Sequence, residues 1–215
     1  MKTASATVRT LAVAGLCLAC LCADTPAEYI NDFEKTPLGK VPDEIMVLSG
    51  PFSVARIENN NLLELAGEPI DSYALLFGPA GAVGGEVSAR ISSASSGRRF
   101  PEFGIGCNDA GGYKLWVLPG QARIELRKGD TPKTSVPFRD WKSGAWIHLK
   151  LRVSQEGAAW KAQAKVWANG AAEPAQWTLA ADDPQAPAPG RASLWGTPYS
   201  GQPIRYDDLR FTPLP

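Results

Sequence analysis

AWIHLKLRVSQEGAAWKAQAKVWAN, residues 145–169, decides the fold class. Ile147, Leu149, Leu151 and Val153 alternate with His148, Lys150 and Arg152. After Gln155-Glu156-Gly157, Trp160, Ala162, Ala164 and Val166 alternate with Lys161, Gln163 and Lys165. Successive strand residues point to opposite faces, so two alternating runs around a short polar turn predict a long antiparallel hairpin with one wet face. Hairpins of this kind build β-sandwiches.

The rest of the chain repeats the pattern, with almost no helical periodicity. Strands are expected at 29–34, 52–57, 62–66, 73–78, 86–91, 102–107, 113–118, 122–127, 134–138, 146–154, 159–168, 191–196 and 204–212. Gly- and Pro-rich breaks separate them, as at Gly50-Pro51, Gly78-Pro79, Gly111-Gly112 and Pro119-Gly120. Thirteen short strands at this spacing imply two packed antiparallel sheets, an all-β sandwich in one domain. The stretch 180–190, AADDPQAPAPG, is expected to be an extended surface loop, because alternating Pro and Ala favours polyproline geometry. In IRYDDLRF the apolar phase changes across Asp207-Asp208, which predicts a bulge that aims a carboxylate off the sheet.

Residues 1–23 have the order of a secretory signal, with Met1-Lys2 and Arg9, then an apolar run, then Cys22-Ala23. The apolar run is about 11 residues, short of the roughly 20 a membrane-spanning helix needs. Three of the four cysteines, Cys17, Cys20 and Cys22, lie in this segment. Two outcomes stay open, simple secretion after cleavage at Ala23 or lipid attachment at Cys20 or Cys22. Either way residues 24–215 form the domain and retain only Cys107, so core burial must hold it without an internal disulfide. With Lys2 and Arg9 removed, acids outnumber bases by two, a balance that excludes a strong pull on nucleic acid or an anionic membrane.

Three segments resemble the concanavalin A-like lectin/glucanase jelly rolls, especially the laminin-G-like and 3-keto-disaccharide-hydrolase-like domains of bacterial secreted proteins. They are INDFEKTPLGKVPDE (30–44), AWIHLKLRV with KAQAKVWANGAAEPAQWTL (145–153 and 161–179), and GRASLWGTPYSGQPIRYDDLRFTPLP (190–215). The resemblance implies a two-sheet antiparallel jelly roll with a concave glycan-facing sheet. It also implies a structural calcium tying the first strand to the last, held by Asp32 or Glu34 and by Asp207 or Asp208. Calcium takes six to eight oxygens, which carboxylates and backbone carbonyls could supply. Without a metal, the same acids would cap turns or face solvent.

Laminarinase-type jelly rolls carry their acids on one strand as E-x-D-x-x-E or E-x-D-x-E, and neither run occurs here. The strands expected to form the concave meander are 86–91, 102–107, 113–118 and 122–127. Their wet phase holds Glu86, Ser88, Arg90, Glu102, Gly104, Gly106, Lys114, Trp116, Arg123, Glu125 and Arg127. In GYKLWVLP, the strand where hydrolase-like relatives carry a glutamate, Lys114 or Trp116 fills the slot. A pair such as Glu86 and Glu102 would have to converge for a glycosidase mechanism. His148, the one histidine, lies in a wet phase where solvation accounts for it, and Cys107 reads as a strand residue. The sequence holds no zinc-spaced cluster, phosphate loop or dinucleotide fingerprint.

Aromatic faces are the stronger signal, because flat apolar rings stack on sugar C–H groups while polar groups fix the hydroxyls. Of seven tryptophans, Trp141, Trp146, Trp160 and Trp177 fit core-facing or hairpin positions. Trp116 falls in a wet phase, and Trp195 with Tyr199 brackets the loop GTPYSG. Arg90, Glu102, Lys114 and Asn108 are the expected polar contacts. The resulting expectation is a secreted, non-catalytic glycan-binding module with Trp116 as its platform. A glycan-active hydrolase and a structural, protein-contacting envelope domain are the alternatives.

Overall fold

The hairpin is present in the expected phase. In the structure, a computed structural model that describes residues 27–214, β11 (Trp146–Glu156) pairs antiparallel with β12 (Ala159–Ala168). Ile147, Leu149, Leu151 and Val153 are buried opposite Ala168, Val166, Ala164 and Ala162. Gly157 turns the chain at φ 64°, a left-handed conformation that glycine adopts without penalty. The expectations for residues 1–23, both signal and lipid attachment, lie outside the described residues.

Sheet A grows on both sides of this hairpin. Its other strands are β1 (Tyr29–Asn31), β3 (Phe52–Ile57), β4 (Asn60–Leu65), β6 (Gly85–Ser93), β13 (Leu179–Asp183) and β15 (Ile204–Thr212). The order is β13-β12-β11-β6-β15-β4-β3. β1 also joins β15, with Tyr29 opposite Phe211. Sheet B holds β2 (Met46–Ser49), β5 (Tyr73–Ala82), β7 (Glu102–Cys107), β8 (Tyr113–Leu118), β9 (Arg123–Lys128), β10 (Thr131–Pro137) and β14 (Gly190–Thr197). Its order is β10-β9-β8-β7-β14-β5-β2, and every pairing in both sheets is antiparallel.

Between the sheets lies one apolar core. Leu63, Val87, Leu149, Leu151 and Phe211 enter it from sheet A, and Leu75, Phe103, Ile105, Leu115 and Leu126 from sheet B. Each such side chain contributes about 1.5–3 kcal/mol relative to exposure. Cys107 belongs to this core, and burial pushes its thiol up to about 12, so it is inert as a nucleophile at neutral pH.

Three expectations need correction. The described residues hold fifteen strands, the additions being β2 and β13. β13 replaces the first part of the expected 180–190 loop, because the outer edge of β12 offers unpaired backbone groups and Leu179 and Asp183 bury there. The Glu86 strand is not in a meander with 102–107; β6 sits in sheet A between β11 and β15, and the chain then crosses to sheet B. The expected bulge is present, since β15 shifts register between Asp207 and Arg210 and Asp208 adopts φ 51°.

A polar latch also joins the two sheets. Asp183 of β13 accepts hydrogen bonds from Lys128 Nζ (2.6 Å) and Tyr113 Oη (2.8 Å), both from sheet B, and from the Gln185 N–H (3.0 Å). The Lys128 ammonium, then the Gln185 N–H, hold its carboxyl near a pKa of about 2, against the effect of burial. A folded-state pKa below the unfolded value of about 3.9 means stability that is present above pH ~4 and lost as pH falls toward ~2. Asp183→Asn is therefore expected to destabilise the fold by about 1–3 kcal/mol at neutral pH. In melting curves taken down the acid limb, the gap between variant and wild type should close below pH ~4. A gap that persists unchanged at pH ~2 would show that the charge of Asp183 is not what stabilises the latch.

Candidate functional site

The outer face of β7 is unusually bare. Phe103, Ile105 and Cys107 point into the core, which leaves Glu102, Gly104 and Gly106 outside. Gly104 is flanked directly by Trp116 of β8 and Trp195 of β14, and Glu125 of β9 stands beyond Trp116. In the next row Gly106 is flanked by Lys114 and Ser193, with Arg127 beyond Lys114. Over this glycine floor the two indoles approach to 6.3 Å between centroids, tilted by 48°.

The floor must be glycine. A Cβ on Gly104 would lie 2.2 Å from the Leu115 carbonyl oxygen, and one on Gly106 would lie 2.3 Å from Ser193 Oγ and 3.3 Å from Trp195 Nε1. Trp195 Nε1 donates to Ser193 Oγ at 2.8 Å, which fixes the ring. Lys114 Nζ sits 3.8 Å from the Trp195 centroid, and Arg127 Cζ 5.4 Å from that of Trp116. Cation–π contacts of this kind contribute about 0.5–2 kcal/mol each, more as the pair is desolvated.

Trp116, Lys114 and Glu102 thus share one face, as the wet-phase positions imply, and Trp195 of β14 joins them there, but not in the expected roles. Trp116 is only 8% exposed and Lys114 only 3%, so Trp195, partly exposed, presents the accessible ring, with Trp116 beside it across Gly104. Glu125 is 2% exposed and clamped between Arg123 (2.6 Å) and Arg127 (2.5 Å). Burial raises the Glu102 carboxyl above the ordinary glutamate range; Arg127 opposes the shift and Glu125 adds to it.

The remaining expected contacts lie elsewhere. Arg90 is on β6, hence on the outer face of sheet A, and the sandwich separates it from Trp116. The same separation keeps Glu86 from Glu102; Glu86 pairs with Arg152 (2.7 Å) and Lys150 (3.3 Å) instead. Asn108 is buried at the end of β7 and donates to the Ala82 carbonyl at 3.0 Å, a structural role. Tyr199 lies in the loop after β14 and is 47% exposed.

The four acids expected to bind calcium do not form a ligand set. Asp207 accepts from Arg90 Nη2 (2.6 Å), Asn60 Nδ2 (2.7 Å) and the Asp208 N–H (2.7 Å). Arg90 Nε lies 2.7 Å from Asp208, a close ionic contact. Asp32 accepts from the Glu34 N–H (3.2 Å) and Glu34 from the Asn61 N–H (3.0 Å). A guanidinium already supplies the positive charge between Asp207 and Asp208, so these residues do not fit a calcium ion. Among the described residues, no group of three or more His, Cys, Asp or Glu side chains is placed to hold a metal.

No protein-family model matches the chain, and no curated protein matches its sequence. Solved structures do match. Lectin II from Ulex europaeus superposes with a TM-score of 0.56 at 12% identity, over 87% of this chain and 98% of the lectin. The carbohydrate-binding module CBM66 from Bacillus subtilis gives 0.53 at 13% identity, over 77% and 93%. The fold is a concanavalin A-like jelly roll. The Crh5 transglycosylase shares it, with a TM-score of 0.55 at 15% identity over 87% of this chain and 85% of the enzyme. One jelly-roll architecture therefore carries both binding and catalysis, and only the site can separate them.

One further aromatic of the jelly roll, not among the expected contacts, stands on the outer face of sheet A. Trp167 stacks on His148 across the β11–β12 hairpin, with centroids 5.1 Å apart and planes 10° apart. The signal was present: Trp167 continues the wet phase of Lys161, Gln163 and Lys165.

Proposed function

We propose that this protein is an exported, non-catalytic carbohydrate-binding module that takes a glycan on the outer face of sheet B. The observation that carries this reading is the Trp116–Trp195 pair over the Gly104–Gly106 floor. Trp195 offers a flat ring for the C–H face of a sugar, with Lys114 Nζ against its other face and Trp116 beside it across Gly104. Arg123, Arg127 and Glu102 on the same face supply donors and an acceptor for hydroxyls. Hydrolysis is disfavoured because Glu125 is clamped by two guanidiniums and Glu86 lies on the other sheet. A glycosidase needs two free carboxyls across one bond. The order of charged, apolar and small residues in 1–23 supports export.

The test is retention of residues 24–215 on immobilised polysaccharides, with and without excess chelator. Trp195→Ala is expected to weaken retention about tenfold, and Trp195→Phe to keep most of it. Chelator is expected to change nothing, since Arg90 occupies the place between Asp207 and Asp208. Equal retention of wild type and Trp195→Ala would sink this site.

A further inference from the structure

A second groove, of about 380 Å³, crosses the outer face of sheet A and plays no part in the site on sheet B. Its volume lies at the small end of the range for ligand clefts, roughly 300–1,000 Å³. The His148–Trp167 stack forms one wall, and His148 Nε2 lies 2.9 Å from Asn169 Oδ1, which steadies the imidazole. Both rings stand in wet-phase positions, where alternation would otherwise place small or charged side chains. A flat aromatic wall beside a polar floor suits a ring with one apolar face and many hydroxyls.

The floor selects the ligand class. Glu86 and Lys150 pair across β6 and β11, and Arg90 and Asp208 across β6 and β15, so acids and bases alternate from strand to strand. Among the groove's ionisable side chains, Asp32, Glu86, Glu173 and Asp208 stand against Arg90, Lys150 and Arg210. Four acids against three bases repel a phosphate chain and give little to a cation. A polyhydroxyl ligand, which donates and accepts everywhere without charge, uses both kinds of group.

We propose that this groove is a second binding site for a neutral glycan, so that one chain carries sugar sites on opposite faces of the sandwich. The two sheets stand about 10 Å apart between their backbones, which prevents one sugar ring from touching both faces. The consequence is bridging of two glycan strands. Bridging rests on the sheet B reading as well, whereas the sheet A site does not.

Affinity electrophoresis in gels containing dextran, xylan, mixed-linkage β-glucan or galactomannan tests this, with turbidity of the same polysaccharides as the bridging readout. The protein is residues 24–215 as wild type, Trp167→Ala, Trp195→Ala and the double variant, each checked by thermal melting. At least one polysaccharide should retard and cross-link the wild type. Each single variant should keep weaker retardation and lose cross-linking, and the double variant should lose both. Trp167→Phe should restore cross-linking, and His148→Ala should weaken the same site. If Trp167→Ala behaves as wild type while Trp195→Ala loses retardation, the second site is overturned and the sheet B reading stands. If Trp167→Ala alone abolishes retardation and Trp195→Ala does nothing, the sheet A site stands and the sheet B reading falls. Retardation by dextran sulfate that depends on Trp167 would overturn the assignment to neutral glycans. No retardation by any polysaccharide would overturn both sites.

Discussion

Replacing Arg90 with leucine is expected to destabilise the fold by about 3–5 kcal/mol at neutral pH, the range for stranding a buried charge by removing its partner. Asp207 is 1% exposed, and among the described residues Arg90 is its only cationic partner. Asn60 and the Asp208 N–H would remain as donors, but neither carries charge. For a chain of this size the melting temperature should fall by about 6–20 °C. Burial already raises the Asp207 carboxyl above the ordinary aspartate range, and Arg90 is among the groups that oppose the rise. A raised folded-state pKa contributes stability below the unfolded value of about 3.9 and loses it as pH climbs through the folded value. Without Arg90 that pKa should rise further. The deficit of Arg90→Leu should therefore be largest at neutral pH and shrink toward acid. Adding Asp207→Asn should recover most of it. Melting curves across pH for the single and double variants decide the matter; a deficit independent of pH and of Asp207 would assign the loss to packing against Trp146, over which the guanidinium lies at 4.9 Å.

Gly196→Ala is expected to cost about 2–5 kcal/mol, from overpacking plus a broken buried hydrogen bond. Tyr206 of β15 is fully buried and donates its hydroxyl to the Trp195 carbonyl at 3.0 Å, a strut from sheet A to the strand that carries the binding ring. The strut passes where a side chain on residue 196 would stand. A Cβ there would lie 2.3 Å from Tyr206 Oη, 2.8 Å from Leu65 Cδ2 and 3.1 Å from Ile204 Cδ1. Tyr206→Phe removes the nearest of these atoms, so the double variant should be more stable than Gly196→Ala alone. Urea unfolding of the two single variants and the double variant measures that coupling. Strict additivity would show that the hydroxyl is not the obstacle. Because Trp195 precedes Gly196, the single variant should also weaken glycan retention.

Alternation carries burial but not sheet membership, and that separates what could be read in advance from what could not. The β11–β12 hairpin and the bulge at Asp207-Asp208 were legible because a period of two, and its interruption, are written in consecutive residues. β2 was not, since Met46, Val47, Leu48 and Ser49 are all exposed and show no alternation. β6 alternates as well as any strand, yet nothing local says that its neighbours are β11 and β15. That ambiguity put Arg90 and Glu86 on the wrong face. Trp116, Lys114 and Glu102 were legible as wet-phase residues, and Trp195 only as an aromatic beside the GTPYSG loop. Their depth was not, because exposure depends on Arg127 and on neighbouring strands far away in the chain. The acids of 32–34 and 207–208 resembled a metal site until Arg90, which arrives from a third segment, was placed between two of them.

Tyr29 and Phe211 face each other across β1 and β15, so the backbone comes into the sandwich and departs from it at one spot. Ile30 of β1 and Thr212 of β15 both border the groove on sheet A, on the face of the sandwich opposite the Trp195 ring. Adjacent ends also make the sandwich portable. A host protein could receive it in a surface loop through junctions at residues 28 and 213, opening a gap of only about 5 Å, the width of one strand pair.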